Sequence, residues 1–172
     1  MRKVRLIESS TAYSGTITLR KDRFLLNGKI IDKEIVEHQD SVGIVALSKN
    51  YVILVMQYRR AAGKMLLEIP AGKMEKGETP RKAAIREMVE EIGYSGKLTP
   101  LMRWYLAPGY STELMHVFVA TNLRKVERGP LDDDENISIK RLQMRVAVRK
   151  CLSGEIQDSK TVAALLAYNQ SD

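Results

Sequence analysis

The chain has 172 residues, of which 44% are hydrophobic and 28% are charged. This length suits one globular domain, or one domain with a small appendage, and the apolar fraction excludes a chain that is mainly disordered. The 28 basic and 21 acidic residues leave a formal net charge of +7, which attracts anionic partners such as nucleotides or nucleic acid.

The apolar runs are too short for a membrane span, because runs such as 51–56 fall far below the roughly 20 residues that a bilayer requires. The N-terminus lacks the apolar stretch of a secretory signal, so we expect a cytoplasmic protein with no membrane partner. Cys151 is the single cysteine and His38 and His116 are the only histidines. A resident metal would therefore be a hard ion held mainly by oxygen.

The N-terminal region predicts an antiparallel β appendage over residues 1–38. Within it, β-branched and aromatic residues concentrate at 15–19 and 23–26, and Asn27-Gly28 is a strong hairpin-turn signal. Two dense β-rich runs follow at 42–47 and 51–57, and they predict a hairpin with one heavily buried strand.

The pattern changes to a helix at Thr79-Pro80, because threonine suits the cap and proline the first helical position, and Gly93 supplies the end. Later elements are strands near 96–105, 114–121 and 137–142, a helix with one apolar stripe from Met144 to Leu152 that Gly154 ends, and a final helix over 161–168 capped by Asp158 or Ser159. A mixed sheet flanked by helices predicts an α+β fold for a main domain at 39–172.

Three carboxylates share one face of the helix predicted at 80–92, since Glu87, Glu90 and Glu91 lie at positions i, i+3 and i+4. Like charges at this spacing repel each other. The pattern therefore indicates a compensating positive group, either a divalent cation or the guanidinium of Arg86. For glutamate-rich helices in general, the usual explanation of such a pattern is an acidic face that is exposed to solvent.

The spacing around these acids resembles the Nudix box, in which glycine, glutamate, Arg-Glu, Glu-Glu and a closing glycine stand at set intervals. The matching positions are Gly72, Glu78, Arg86, Glu87, Met88, Glu90, Glu91, Gly93 and Tyr94. Tyr94 departs mildly, being aromatic where an aliphatic residue is usual. A P-loop is excluded, because Glu78 occupies the position where that motif needs lysine.

Segments outside the box resemble the ADP-ribose pyrophosphatase branch of the Nudix hydrolases: QYR at 57–59, EIPAGK at 68–73, APGYSTE at 107–113 and the tail at 153–168. The resemblance implies a Nudix-type α/β/α sandwich with a mixed sheet. It also implies metal-dependent hydrolysis of ADP-ribose, or of a related nucleoside diphosphate sugar, to AMP and ribose 5-phosphate.

The same resemblance implies roles for individual residues. Glu87 and Glu91 would be the principal ligands of Mg²⁺, or of Mn²⁺, with Glu90 sharing an ion and the Ala71 carbonyl completing the set. Arg86 would orient the box glutamates, and Glu78 would brace the loop before the helix.

Other implied roles lie outside the box. Arg59 would meet the diphosphate and Glu113 the terminal ribose, and Pro108 matches a proline typical of the branch. Phe24 is a candidate to stack in the adenosine site of a partner subunit, although the sequence alone favours a core phenylalanine of the hairpin. The general base would come from the acidic run Asp132, Asp133, Asp134 and Glu135, with Glu135 as our choice; four consecutive acids are otherwise typical of a solvated loop.

The N-terminal strands resemble a swapped arm that completes the partner's site in a homodimer. Two alternatives remain open at this point. One keeps the chemistry but changes the substrate to GDP-mannose or a dinucleoside polyphosphate. The other is a nucleic-acid-binding protein of the same fold, whose basic surface would comprise Lys140, Arg141, Arg145, Arg149 and Lys150; salt-sensitive binding of RNA would favour it.

Overall fold

The computed structural model describes residues 4–129 and 137–171. The strands within these ranges are β1 (Val4–Ser14), β2 (Thr18–Leu26), β3 (Lys29–Glu37), β4 (Ser41–Ser48), β5 (Tyr51–Arg59), β6 (Lys64–Glu68), β7 (Ala71–Lys73), β8 (Tyr94–Tyr105), β9 (Leu114–Lys125) and β10 (Ile137–Gln143). The helices are α1 (Pro80–Ile92), α2 (Met144–Leu152) and α3 (Ser159–Ser171). The contacts divide the chain into two compact units, one made of the residues up to Asp40 with Tyr105–Leu114 and the other of Ser41–Trp104 with the residues from Met115 onward.

The first unit contains the antiparallel sheet β1-β2-β3. The predicted turn at Asn27-Gly28 is confirmed, because both residues have a positive φ, 54° and 78°, as a two-residue hairpin turn with right-handed strands requires. The predicted strand segment at 15–19 is wrong at its start. Gly15 N donates to Ile17 O at 3.0 Å in a tight turn, so the strand begins at Thr18.

Polar contacts hold the first unit together as much as apolar ones. The buried carboxylate of Asp22 accepts hydrogen bonds from Arg20 Nε at 2.8 Å and from Ser9 Oγ at 2.7 Å, and these bonds hold the pKa of Asp22 below its ordinary value. The loop 105–114 joins the end of β3, where Val36 N donates to Tyr110 O at 2.7 Å. No signal in the sequence indicated that this loop belongs with the N-terminal strands.

The second unit is built on a mixed sheet with the order β10-β5-β4-β9-β8. The predicted β4–β5 hairpin is confirmed, and β4 also runs parallel to β9 in the centre of the sheet. The short strands β6 and β7 add to β5 and β4 respectively. They were missed in the sequence because they are five and three residues long and follow no clear alternation.

Helices cover both faces of this sheet. Helix α1 packs Ala83, Ala84 and Met88 against Ile44 and Ile53 on one face. Helix α2 contacts β5, and helix α3 contacts β4. Side chains of β4 and β5 that point away from α1 are as buried as those that point toward it, so the second face of the sheet is covered too. The result is the expected α/β/α arrangement. No helix in the described ranges has the length and apolarity needed to cross a membrane.

The packing of α1 makes a prediction about stability. Met88 is fully buried whereas Ile85, three residues earlier, is 44% exposed. We expect Met88→Ala to lower the free energy of unfolding by about 3 kcal/mol, because it leaves a cavity between helix and sheet. Ile85→Ala is the matched control and should cost less than about 1 kcal/mol. Urea denaturation measures both, and equal costs would contradict this packing.

Candidate functional site

The site is built around helix α1, which forms as the sequence predicted. Thr79 Oγ1 accepts a hydrogen bond from Lys82 N at 3.4 Å at the start of the helix, Pro80 takes the first position, and Gly93 ends the helix with a φ of 68°. Along this helix Glu87 and Glu91 are buried beside the sheet. The fold therefore brings two carboxylates into a place where charge is costly unless it is compensated.

Arg86 compensates much of this negative charge. Its Nη1 donates to Glu87 Oε1 at 2.8 Å and to Glu90 Oε2 at 3.0 Å. Its Nη2 donates to Glu78 Oε2 at 3.1 Å and to the Lys73 carbonyl at 2.9 Å. Burial alone would lower the pKa of Arg86, but these three carboxylates outweigh it and raise the pKa above its ordinary value. One guanidinium thus joins the helix to the loop that precedes it.

Glu78 fastens the same loop from the other side. It accepts Glu75 N at 2.9 Å as well as the bonds from Arg86, and the bond with Arg86 is the main reason that its pKa lies below the ordinary value. Glu78 therefore stays ionised and holds residues 75–78 in a closed turn.

The short strand β7 approaches the helix very closely. Ala71 N donates to Glu91 Oε2 at 2.8 Å. A Cβ on Gly72 would lie 1.9 Å from Glu87 Oε1, so only glycine leaves room for that carboxylate. The backbone at 71–72 and the carboxylates of Glu87 and Glu91 are consequently in direct contact.

The donor chemistry of this cluster suits a hard divalent cation. Carboxylate oxygens of Glu87 and Glu90 share Arg86 with the Lys73 carbonyl, and the Glu91 carboxylate meets the backbone at Ala71; hard cations prefer such oxygen ligands. Across the described residues, no three histidine, cysteine, aspartate or glutamate side chains are arranged so that they could hold a metal ion. In the structure Glu87 and Glu90 accept bonds from Arg86, and Glu91 accepts a bond from Ala71 N.

Arg59 lies at the end of β5 and forks onto Glu68, with Nε 2.8 Å from Oε1 and Nη2 2.7 Å from Oε2. Glu68 is buried and also accepts from Lys160 Nζ. Burial alone would raise the pKa of Glu68, but the hydrogen bonds and charges of Arg59 and Lys160 hold it below its ordinary value. Sequence reasoning missed Glu68 and Lys160 as site residues, although both lie in the segments EIPAGK and SGEIQDSKTVAALLAY that carried the resemblance.

The remaining candidates lie in the first unit or outside the described residues. Phe24, Pro108 and Glu113 belong to the first unit, where Phe24 pairs with Leu6 and Ile31, Pro108 lies exposed in the turn after Ala107, and the Glu113 carboxylate lies 3.7 Å from His38 Nδ1. Glu135 and its neighbours Asp132, Asp133 and Asp134 lie outside the described residues.

The role of Arg86 in the architecture can be tested without reference to activity. Arg86→Lys keeps the positive charge but cannot bond Glu78, Glu87 and Glu90 at once, so we expect a loss of about 2 kcal/mol in the free energy of unfolding. Arg103→Lys, an exposed position on β8, is the matched control. Urea denaturation compares them, and equal stability of both variants would refute the bracing role.

Comparison with known proteins agrees with this geometry. The NUDIX domain family model matches residues 37–165. The chain is 38% identical to the ADP-ribose pyrophosphatase of Bacillus subtilis, over 84% of this chain and 80% of that protein. It is 31% identical to the GDP-mannose pyrophosphatase of Salmonella arizonae, over 95% of this chain and 94% of that protein.

Among solved structures, the crystal structure of an ADP compounds hydrolase matches with a TM-score of 0.87 and 25% identity, over 98% of this chain and 93% of that one. The family match covers both the carboxylate helix and the sheet on which it packs. The chain therefore belongs to the NUDIX domain family.

Proposed function

We propose that this protein hydrolyses the diphosphate bond of ADP-ribose, giving AMP and ribose 5-phosphate in a metal-dependent reaction. The observation that carries the proposal is the contact between the carboxylates of α1 and the backbone of 71–72, in a chain closely similar to an ADP-ribose pyrophosphatase. A diphosphate bears two negative charges that repel an attacking hydroxide, so a site for its hydrolysis has to supply positive charge.

Glu87, Glu90, Glu91 and the Ala71 carbonyl would hold the metal, for which Mg²⁺ is our first choice and Mn²⁺ the second. The chemistry supplied by a divalent ion held there would be neutralisation of the diphosphate and a lower pKa of a bound water. Arg86 would set the orientation of Glu87 and Glu90 through its two short bonds. The choice of metal and the cytoplasmic location stay predictions from the sequence.

The other residues would act on the substrate directly. Arg59 would bind the diphosphate with the guanidinium edge that its fork onto Glu68 leaves open, since its side chain is 41% exposed. Glu113 would bind the terminal ribose, Pro108 would belong to the same substrate loop, and Phe24 would stack in the adenosine site of a partner subunit. Glu135 would accept the proton of the attacking water, and in-line displacement at one phosphorus would complete the reaction.

A second candidate keeps this chemistry with GDP-mannose as the substrate, because the chain is also similar to a GDP-mannose pyrophosphatase. A panel of nucleoside diphosphate sugars with identified products separates the two.

The nucleic-acid alternative loses support, because two residues of its basic surface are already engaged: Arg141 donates to Tyr94 Oη at 2.6 Å, and Lys150 pairs with Glu155.

The metal assignment predicts the behaviour of one variant. Glu91→Gln keeps an oxygen that can accept Ala71 N, so the fold should survive, but it removes a charged ligand. We expect turnover of ADP-ribose with Mg²⁺ to fall at least about 100-fold. Glu127→Gln, at an exposed position, serves as the control. Unchanged turnover in Glu91→Gln would mean that the metal is bound elsewhere.

We also propose that the N-terminal strands form a homodimer. Every residue of β1 is exposed, including the apolar Val4 and Leu6, and a three-stranded sheet that exposes apolar side chains on its outer strand gains stability from a covering surface. A second copy of the same strand offers matching apolar side chains and a compatible edge.

Charges on this strand should separate the subunits. We expect the double change Val4→Asp and Leu6→Asp to convert a dimer to a monomer, because each carboxylate would lose its hydration in the interface. Light scattering measures the mass, and Lys29→Asp at the β2–β3 turn controls for added negative charge. A wild-type chain that scatters as a monomer would end this proposal.

A further inference from the structure

The start of helix α3 carries a polar cluster that the proposed reaction does not use. Asp158, Lys160 and Thr161 lie at this end of the helix, and Lys160 and Thr161 are buried. Burying an ion pair adds little net stability compared with an apolar packing of the same volume. We infer that these three residues are positioning residues that orient Arg59 and the Ala71 carbonyl, an inference that rests on the proposed function.

The first set of contacts, called the first arm below, runs from Lys160 through Glu68 to Arg59. Lys160 Nζ donates to Glu68 Oε2, which is the same oxygen that accepts Arg59 Nη2 at 2.7 Å. The carboxylate is therefore held from two sides, by a lysine fixed in α3 and by the arginine at the end of β5. With Lys160 in place, Glu68 has a set orientation, and its two oxygens in turn set the plane of the Arg59 guanidinium.

The second set of contacts, called the second arm below, runs from Thr161 to the loop before β7. Thr161 Oγ1 accepts a hydrogen bond from Ile69 N at 2.8 Å in the buried interior. The next carbonyl, Pro70 O, accepts Ile44 N at 2.8 Å, and Ala71 N donates to Glu91 Oε2 at 2.8 Å. Three successive residues are thus fixed by three different elements, and the direction of the Ala71 carbonyl follows from them.

Asp158 connects the two arms. Its Oδ1 accepts Lys160 Nζ at 2.8 Å, while its Oδ2 accepts Thr161 N at 2.9 Å and Thr161 Oγ1 at 2.5 Å. It caps the helix with one oxygen and orients the lysine with the other. Because the hydroxyl of Thr161 donates to Asp158, its lone pair remains directed at Ile69 N.

The second arm is tested with Thr161→Val, which keeps the shape but removes the hydroxyl, and with Thr161→Ser, which retains it. We expect Thr161→Val to weaken Mn²⁺ binding about tenfold, measured by calorimetry without substrate, because groups that orient a ligand typically change metal affinity by 10-fold to 100-fold. Thr161→Ser should bind Mn²⁺ within about twofold of the wild type. Wild-type affinity in Thr161→Val would overturn this arm.

The first arm is tested with Lys160→Met, and Lys150→Met is the matched control, since Lys150 also pairs with a glutamate, but with Glu155 rather than with Glu68. We expect Lys160→Met to raise KM for ADP-ribose about tenfold with little change in kcat or in Mn²⁺ affinity, because the diphosphate is bound less well while the metal ligands stay in place. A purely structural role would instead lower thermal stability and leave KM unchanged, which would overturn this arm.

A spectroscopic measurement keeps this test separate from the proposed function. The Nε–H resonance of Arg59, assigned by its absence in Arg59→Lys, should exchange with water faster in Lys160→Met than in Lys150→Met. If the wild type fails to hydrolyse ADP-ribose, the proposed function falls while this resonance and the Mn²⁺ affinities still decide the inference. Exchange identical to the wild type, with unchanged Mn²⁺ affinity in Thr161→Val, would overturn it even in an active enzyme.

Discussion

The attraction between one guanidinium and several carboxylates is the constraint on which the site depends. Glu78, Glu87 and Glu90 would repel each other if left alone, and Arg86 bonds all three within 3.2 Å. The same side chain bonds the Lys73 carbonyl, so it fastens loop and helix together. Arg86 therefore both neutralises the glutamates and holds the loop closed against the helix. With this positive charge in place, a close cluster of acids is compatible with a stable fold.

The second constraint is the close approach of backbone to helix at 69–72. Strand β4, helix α1 and helix α3 each contribute one hydrogen bond to Ile69, Pro70 or Ala71. This stretch meets the carboxylates of α1 through Ala71 N, and a glycine follows because a side chain would occupy the place of the Glu87 carboxylate. The two-sided cover of the sheet makes this possible, since α1 reaches the stretch from one face and α3 from the other.

The two units contain residues that are proposed for different parts of the chemistry. The unit that contains the sheet β4–β10 holds the carboxylate helix and Arg59, which are proposed to bind the metal and the diphosphate that all substrates of this kind share. The unit with β1–β3 holds Phe24, Pro108 and Glu113, which are proposed for the parts that differ between ADP-ribose and GDP-mannose. On this proposal the residues of the box serve the reaction, while residues far from the box in sequence would select the substrate.

The sequence by itself determined the helix at 80–92 with both its ends, the hairpins at Asn27-Gly28 and around Lys49, and the acidic constellation, because caps, turns and i, i+4 spacing are local properties. The resemblance also named Arg59 as a candidate for the diphosphate, which stays a prediction. Only the tertiary structure decided that Arg59 and Lys160 both bond Glu68, that the loop 105–114 joins β3, and that β6 and β7 exist. These features depend on contacts between residues distant in sequence, for which no local pattern is required.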